Sequence, residues 1–149
     1  MEASHTWYFA YGSNLNMGQM MTRVGEWIVC RRAVAKGYKL VFNFQSRRWG
    51  GYAANLIKTD KIDDSVDGAI YRIPKETLDV LTQYEDRKPE EILVDADGIP
   101  IRAKVYIFPA SEKPGNPPDA YLQVMLVGLR QHGHPEQAIE RVRKSAGSH

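Results

Sequence analysis

The chain is nearly without cysteine: Cys30 stands alone among 149 residues. No intramolecular disulfide framework can form, and a reducing compartment fits. A long apolar run is missing as well. Nothing approaches the ~20 residues of a membrane-spanning helix, and the start, with Glu2 and no apolar stretch behind it, does not read as a secretion signal. Charge of one sign is also not in excess, since 20 Lys and Arg face 18 Asp and Glu for a net charge of +2. That argues against a nucleic-acid partner, which needs a concentrated cationic surface. The four histidines, His5, His132, His134 and His149, have no metal-site spacing, and His132-Gly133-His134 reads as a solvated turn. No repeat or low-complexity block is present. The expectation is a cytoplasmic protein forming one domain over residues 1–149, with no membrane partner and no metal. A chain of this length buries roughly 70% of its unfolded surface without staples.

What is there begins with Trp7-Tyr8-Phe9-Ala10-Tyr11, an aromatic run of strand formers. It breaks at Gly12-Ser13-Asn14, all turn formers, and Leu15 to Val24 follows as a helix. Strand, polar turn, helix leaves backbone N–H groups free at a helix start, where a carbonyl oxygen or anion can dock. The same residues also suit simple helix capping by Ser13 or Asn14. Trp27 to Phe44 reads as two strands bent at Gly37, with Tyr38, Leu40, Phe42 and Phe44 on one face. Tyr52 to Ile57 and Val66 to Ile73 are further strands, and Gly68 inside the latter marks a bulge or a close backbone approach. Asp95-Ala96-Asp97-Gly98 turns a hairpin between Ile92–Val94 and Ile101–Phe108. A proline-rich crossover, Pro109 to Pro118, leads to helices over Tyr121–Gln131 and from Pro135 to near Lys144. Strands early and helices late predict an α+β fold built on a barrel-like or curved sheet.

One helix carries an acid on the wrong face. In the helix from Lys75, the residues Leu78, Leu81 and Glu85 share a stripe at ~100° per residue. That stripe should face the core. A glutamate there loses solvation and sits at the negative end of the helix dipole, and both effects raise its pKa. A raised glutamate suits a general base that later returns its proton as an acid. The alternatives are a frayed, solvated end or a pairing with Arg87 or Lys88. Asp67 is a weaker second candidate. Ser13 lacks the second glycine of a nucleophile elbow and an evident histidine partner, so it reads as a positioning residue. Cys30 reads as a small buried hydrophobe.

With these residues in view, Tyr8-Phe9-Ala10-Tyr11-Gly12-Ser13-Asn14-Leu15 resembles the signature of the gamma-glutamylcyclotransferase family, which includes the AIG2-like proteins. Gly50-Gly51-Tyr52-Ala53-Ala54, Val66-Asp67-Gly68-Ala69-Ile70-Tyr71, Leu78 to Glu85, and Pro118 to Leu129 resemble further family segments, in family order. The resemblance implies a small mixed β-barrel with flanking helices and a cavity at its mouth. It implies a cofactor-independent enzyme in which the α-amine of a γ-glutamyl group attacks its own γ-carbonyl. The products would be 5-oxoproline and a free amine or amino acid. On this likeness Glu85 is the catalytic proton shuttle. The turn residues Gly12, Ser13, Asn14 and Leu15 bind substrate through their backbones, Tyr11 lines the pocket, and Tyr121 hydrogen-bonds the substrate.

The chain departs from the family pattern beside Glu85. Asp86 stands where the family has glycine, and Ile92 where a tyrosine is common. An acid at 86 either perturbs Glu85 further or points to a cationic leaving group, such as a γ-glutamylated amine. Two other readings compete: a binding or regulatory domain on the same fold without turnover, and an RNA-binding barrel using Arg31, Arg32, Arg47 and Arg48. The sequence leaves the oligomeric state open, a homodimer included.

Overall fold

The computed structural model describes residues 4–109 and 113–147. Seven strands and four α-helices follow one another as β1 (His5–Ala10), α1 (Met17–Val24), β2 (Val29–Lys36), β3 (Tyr38–Ser46), β4 (Gly51–Lys58), β5 (Ser65–Pro74), α2 (Lys75–Glu85), β6 (Glu90–Ala96), β7 (Ile99–Val105), α3 (Asp119–Gln131) and α4 (Glu136–Gly147). Five of the strands close a barrel in the order β1-β5-β2-β6-β7. All its pairings are antiparallel except the closing one, where β1 runs parallel to β7 at Tyr8 opposite Lys104. The expected α+β barrel with flanking helices is therefore present. Among the described residues no helix is long and apolar enough to cross a membrane.

The central strand β5 explains the closure. Val66, Gly68, Ala69, Ile70, Tyr71 and Ile73 are buried on it, because it pairs with β1 on one side and β2 on the other. Gly68 marks a close approach and no bulge. The register runs unbroken past it, and a Cβ there would lie 2.4 Å from the Ala10 carbonyl oxygen. Strands β2 and β3 meet at Gly37, as expected, but they do not pair with each other. β3 leaves the barrel to form a separate two-stranded ribbon with β4. The even alternation expected along β3 breaks at a bulge between Phe42 and Phe44. It leaves Asn43 buried, where its Oδ1 accepts from Asn55 Nδ2 at 3.0 Å. Asn55 also exchanges two 2.9 Å bonds with the backbone of Phe108, tying the segment after β7 to the ribbon. The hairpin of β6 and β7 is as expected, though β7 ends at Val105 and not at Phe108. Part of the proline-rich crossover, residues 110–112, lies outside the described residues.

The segment after β1 is not one helix. Ser13–Leu15 makes a single 3-10 turn, and α1 starts only at Met17. Asn16, and not Ser13 or Asn14, is the cap, its Oδ1 accepting from the Gln19 amide at 3.0 Å. Helix α3 packs directly on that turn at Gly128, where a Cβ would sit 2.4 Å from the Leu15 carbonyl carbon. Asn16 Nδ2 reaches the Val124 carbonyl at 3.3 Å, and the Met17 amide donates to Gln131 Oε1 at 2.7 Å.

His132-Gly133-His134, expected to be solvated, leaves only Gly133 exposed, with His132 half-buried and His134 buried. His134 is 7% exposed, its Nε2 2.8 Å from the Gly68 carbonyl and its Nδ1 3.7 Å from Asp67. Asp67 also accepts from Arg141 at 2.9 Å, so it joins α4 to β5 and lies away from the cavity described below. Gly128→Ala gains helix propensity worth about 1 kcal/mol but forces α3 off the turn, an overpacking cost of about 1–3 kcal/mol. Urea unfolding should show net destabilisation, whereas Gly147→Ala, with open space at its Cβ, should not.

Candidate active site

The barrel mouth, the ribbon and α2 enclose a cavity of about 470 Å³. Its wall includes Tyr11, Gly12, Ser13, Asn14, Glu85 and Tyr121, so six of the seven residues expected at the site share one space. Leu15 does not line it. Its side chain is fully buried in the core and its amide donates to the Gly12 carbonyl at 3.1 Å, which leaves it no donor for a ligand.

The turn is fastened from behind. Tyr71 Oη donates toward the carbonyls of Asn14 and Leu15 at 3.0 and 3.2 Å, and His132 Nε2 lies 3.0 Å from the Leu15 carbonyl. Burial lowers the pKa of His132, so it stands there as a neutral ring. Among the described residues, no backbone carbonyl takes the amides of Gly12, Ser13 or Asn14. The carbonyls of the turn are thus occupied, and the Ser13 amide is turned to the Tyr121 hydroxyl.

Arg23, from the last turn of α1, was not foreseen. Its Nη1 donates to Asn14 Oδ1 at 2.8 Å and to Ser13 Oγ at 3.3 Å. Asn14 Nδ2 in turn donates to Tyr8 Oη at 3.0 Å. Tyr121 Oη accepts from the Ala54 amide at 3.0 Å and lies so close to Gly12 that a Cβ there would approach it to 2.8 Å. Burial holds the phenols of Tyr8, Tyr11 and Tyr121 above their ordinary pKa, so all three keep their protons at neutral pH. Tyr11 spends its proton on the Tyr106 carbonyl. Tyr8 and Tyr121 each accept a bond from elsewhere and so retain a proton to offer the cavity.

Glu85 ends α2 as the apolar stripe requires. Leu81 is fully buried one turn before it, and Leu78 packs on the core. Burial pushes the Glu85 carboxyl above its ordinary value, and the guanidinium groups of Arg23 and Arg48 pull part of the way back. Its charged neighbours are these two, and not Arg87 or Lys88. Arg87 lies over the Phe108 ring at 5.9 Å. Arg23 and Arg48 also stack on Tyr84, at 5.3 and 4.7 Å from its ring centre. Asp86 takes a left-handed conformation, φ 53°, as its amide closes the helix on the Thr82 carbonyl. That is the position where the family's glycine is easiest to accommodate, and Asp is among the few other residues that tolerate it.

A partly desolvated acid, a tethered turn and two phenols thus share the wall of one cavity of small-molecule size. A family model described as gamma-glutamyl cyclotransferase, AIG2-like, matches residues 8–123. Mouse gamma-glutamylcyclotransferase is 30% identical over 146 residues, covering 91% of this chain and 76% of the mouse protein. A solved gamma-glutamyl cyclotransferase superposes with a TM-score of 0.85 at 23% identity, over 93% of this chain and 86% of that one. A yeast gamma-glutamyl cyclotransferase specific to glutathione superposes with a TM-score of 0.66 at 16% identity, over 98% and 99% of the two chains. These structural likenesses bear on the fold. The chain belongs to the AIG2-like gamma-glutamyl cyclotransferase family, enzymes that act on small γ-glutamyl compounds.

The raised Glu85 carboxyl has a consequence for stability. A group whose pKa is higher in the folded state favours folding below its unfolded value and loses that contribution as pH rises through the folded one. Glu85→Gln removes the cost of ionising a desolvated acid. Thermal melts should find it at least as stable as the parent at pH 7, with the gap narrowing as pH falls through the raised folded value and closed below 4.5, the ordinary glutamate value.

Proposed function

We propose that the protein is a γ-glutamyl cyclotransferase that releases 5-oxoproline, with Glu85 moving the proton. The observation that carries this reading is that Glu85 and the Gly12-Ser13-Asn14 turn line the same cavity. A bond forms between the substrate's α-amino nitrogen and its own γ-carbonyl carbon, and the bond from that carbon to the leaving nitrogen breaks. The attacking nitrogen gives up a proton and the leaving nitrogen takes one, so one carboxyl can serve both steps and end as it began. Because nucleophile and electrophile belong to one molecule, holding the chain curled supplies most of the rate.

The residues divide the remaining work. Glu85, its pKa raised by burial yet restrained by Arg23 and Arg48, accepts the proton of the attacking amine and delivers it to the departing nitrogen. Amides of Gly12 and Asn14 serve the glutamyl group and the charge developing on the γ-oxygen, a contribution of about 3 kcal/mol per well-aimed donor, while the Ser13 amide fixes the Tyr121 hydroxyl beside it. Tyr121 and Tyr8 supply hydroxyl donors at the same wall, and Tyr11 shapes it by fixing the Tyr106 backbone. Arg23 orients Asn14 and Ser13 and keeps Glu85 ionised enough to act as a base.

Incubation with a panel of γ-glutamyl compounds should release 5-oxoproline, detected by mass spectrometry. Glu85→Gln should lower kcat by about 10²–10⁴-fold, the usual yield of a general acid–base group, with KM little changed; unaltered turnover would remove Glu85 from the chemistry. Arg23→Gln takes away a cation that lowers the Glu85 pKa. The acidic limb of the kcat/KM profile should therefore move to higher pH, and a profile that stays in place would deny Arg23 this role.

A further inference from the structure

We propose that Arg48, on the turn between β3 and β4, recognises the leaving group, and that this leaving group carries a carboxylate. The proposal rests on the cyclotransferase reading above. The charged residues lining the cavity are Arg23, Arg47, Arg48, Glu85 and Asp86. Two of them are committed at its buried end. Arg23 is bonded to Ser13 and Asn14, and Glu85 serves the reacting nitrogens.

Ser13 and Asn14 are buried, whereas Arg47 and Arg48 are exposed. A substrate with its glutamyl end at the turn therefore extends its departing half toward the ribbon. There it meets an apolar frame, with Phe44 stacked on Phe108 at 4.0 Å and Trp49 edge-on to Tyr121 at 5.1 Å. The charge set into this frame is cationic. Arg48 is held in place by the Tyr84 ring, 4.7 Å away, and by a long 3.5 Å contact from Nη2 to the Tyr84 carbonyl in the last turn of α2. These contacts leave other N–H groups of its fork unspent, and a planar fork fits a carboxylate with two bonds. An arginine already ordered by stacking loses less freedom when it binds. Asp86, the acid that pointed to a cationic leaving group, is exposed and serves the helix end through its backbone. Against it stand Arg47 and Arg48, so the outer cavity favours an anion.

The test compares γ-glutamyl-alanine with γ-glutamyl-alaninamide, which have the same shape and differ by one negative charge. A second pair, γ-glutamyl-alanyl-glycine and its amide, separates a free amino acid from a peptide as the source of the carboxylate. The parent enzyme should favour the acid over the amide in at least one pair by about tenfold in kcat/KM, the worth of one charge-assisted hydrogen bond. Arg48→Gln should bring that ratio close to one, and Arg48→Lys should keep part of it. Equal loss on acid and amide would confine Arg48 to its effect on Glu85 or on the fold and overturn the proposal. So would a parent preference for the amides, or for γ-glutamyl-ethylenediamine, whose leaving group is cationic. Binding of both pairs to the parent and to Arg48→Gln is measured by calorimetry alongside. If no compound yields 5-oxoproline, the cyclotransferase reading falls, and Arg48 is judged on whether its loss weakens binding of the acids more than the amides. Binding that ignores the carboxylate, or no binding at all, overturns the assignment.

Discussion

Everything at the site depends on a turn whose carbonyls are occupied. Tyr71 from the central barrel strand, with His132 from the end of α3, engages the carbonyls of Asn14 and Leu15. Backbone groups held this way cannot swing round to satisfy one another. Among the described residues no backbone carbonyl takes the amides of Gly12, Ser13 and Asn14, and the Ser13 amide bears on the Tyr121 hydroxyl. Arg23 and Tyr8 hold the side chain of Asn14 from the other side, and Gly128 lets α3 lie flat against the turn. A donor array fixed before any ligand arrives needs no rearrangement during reaction, which is the origin of its strength.

Opposite that array, two opposed forces set the acid. Burial makes the charged form of Glu85 costly, and two guanidinium groups at different depths reduce the cost without cancelling it. The same two guanidinium groups lie over Tyr84, on the turn of α2 that carries Glu85. Helix end, ribbon and first helix are thus coupled through one aromatic ring. A stable fold gains little from such an arrangement, whereas a proton shuttle needs it, and the proposed role of Glu85 rests on this contrast.

Much of this was legible in the residues. The 3.6-residue stripe of Leu78, Leu81 and Glu85 needed only helix geometry to place an acid against the core. Gly12-Ser13-Asn14 after an aromatic strand announced a turn. Other features were not legible, for definite reasons. Leu15 sits beside the turn in sequence but spends its amide inside it, because a 3-10 turn closes on its first residue. Tyr8 and Arg23 reach the cavity from β1 and from the last turn of α1, contacts that become visible only once α1 packs against the Ser13–Leu15 turn and α2. The histidines after α3 looked solvated because a His-Gly-His tripeptide is polar. Both are bound to β5, His134 buried on the Gly68 carbonyl and His132 half-buried against the Tyr71 hydroxyl.

By itself the sequence determined the elements, the family likeness, and the odd position of Glu85, since periodicity and turn chemistry are local properties that near neighbours in the chain enforce. Only the tertiary structure decided which groups meet. It sent β3 away from β2 after Gly37 to build a ribbon, brought Arg48 on that ribbon to the end of α2, and set Tyr121 from the late helix against Gly12 from the early turn. Those meetings span many residues of chain. They are fixed by barrel closure and burial, which depend on all the strands at once and are carried by no single segment.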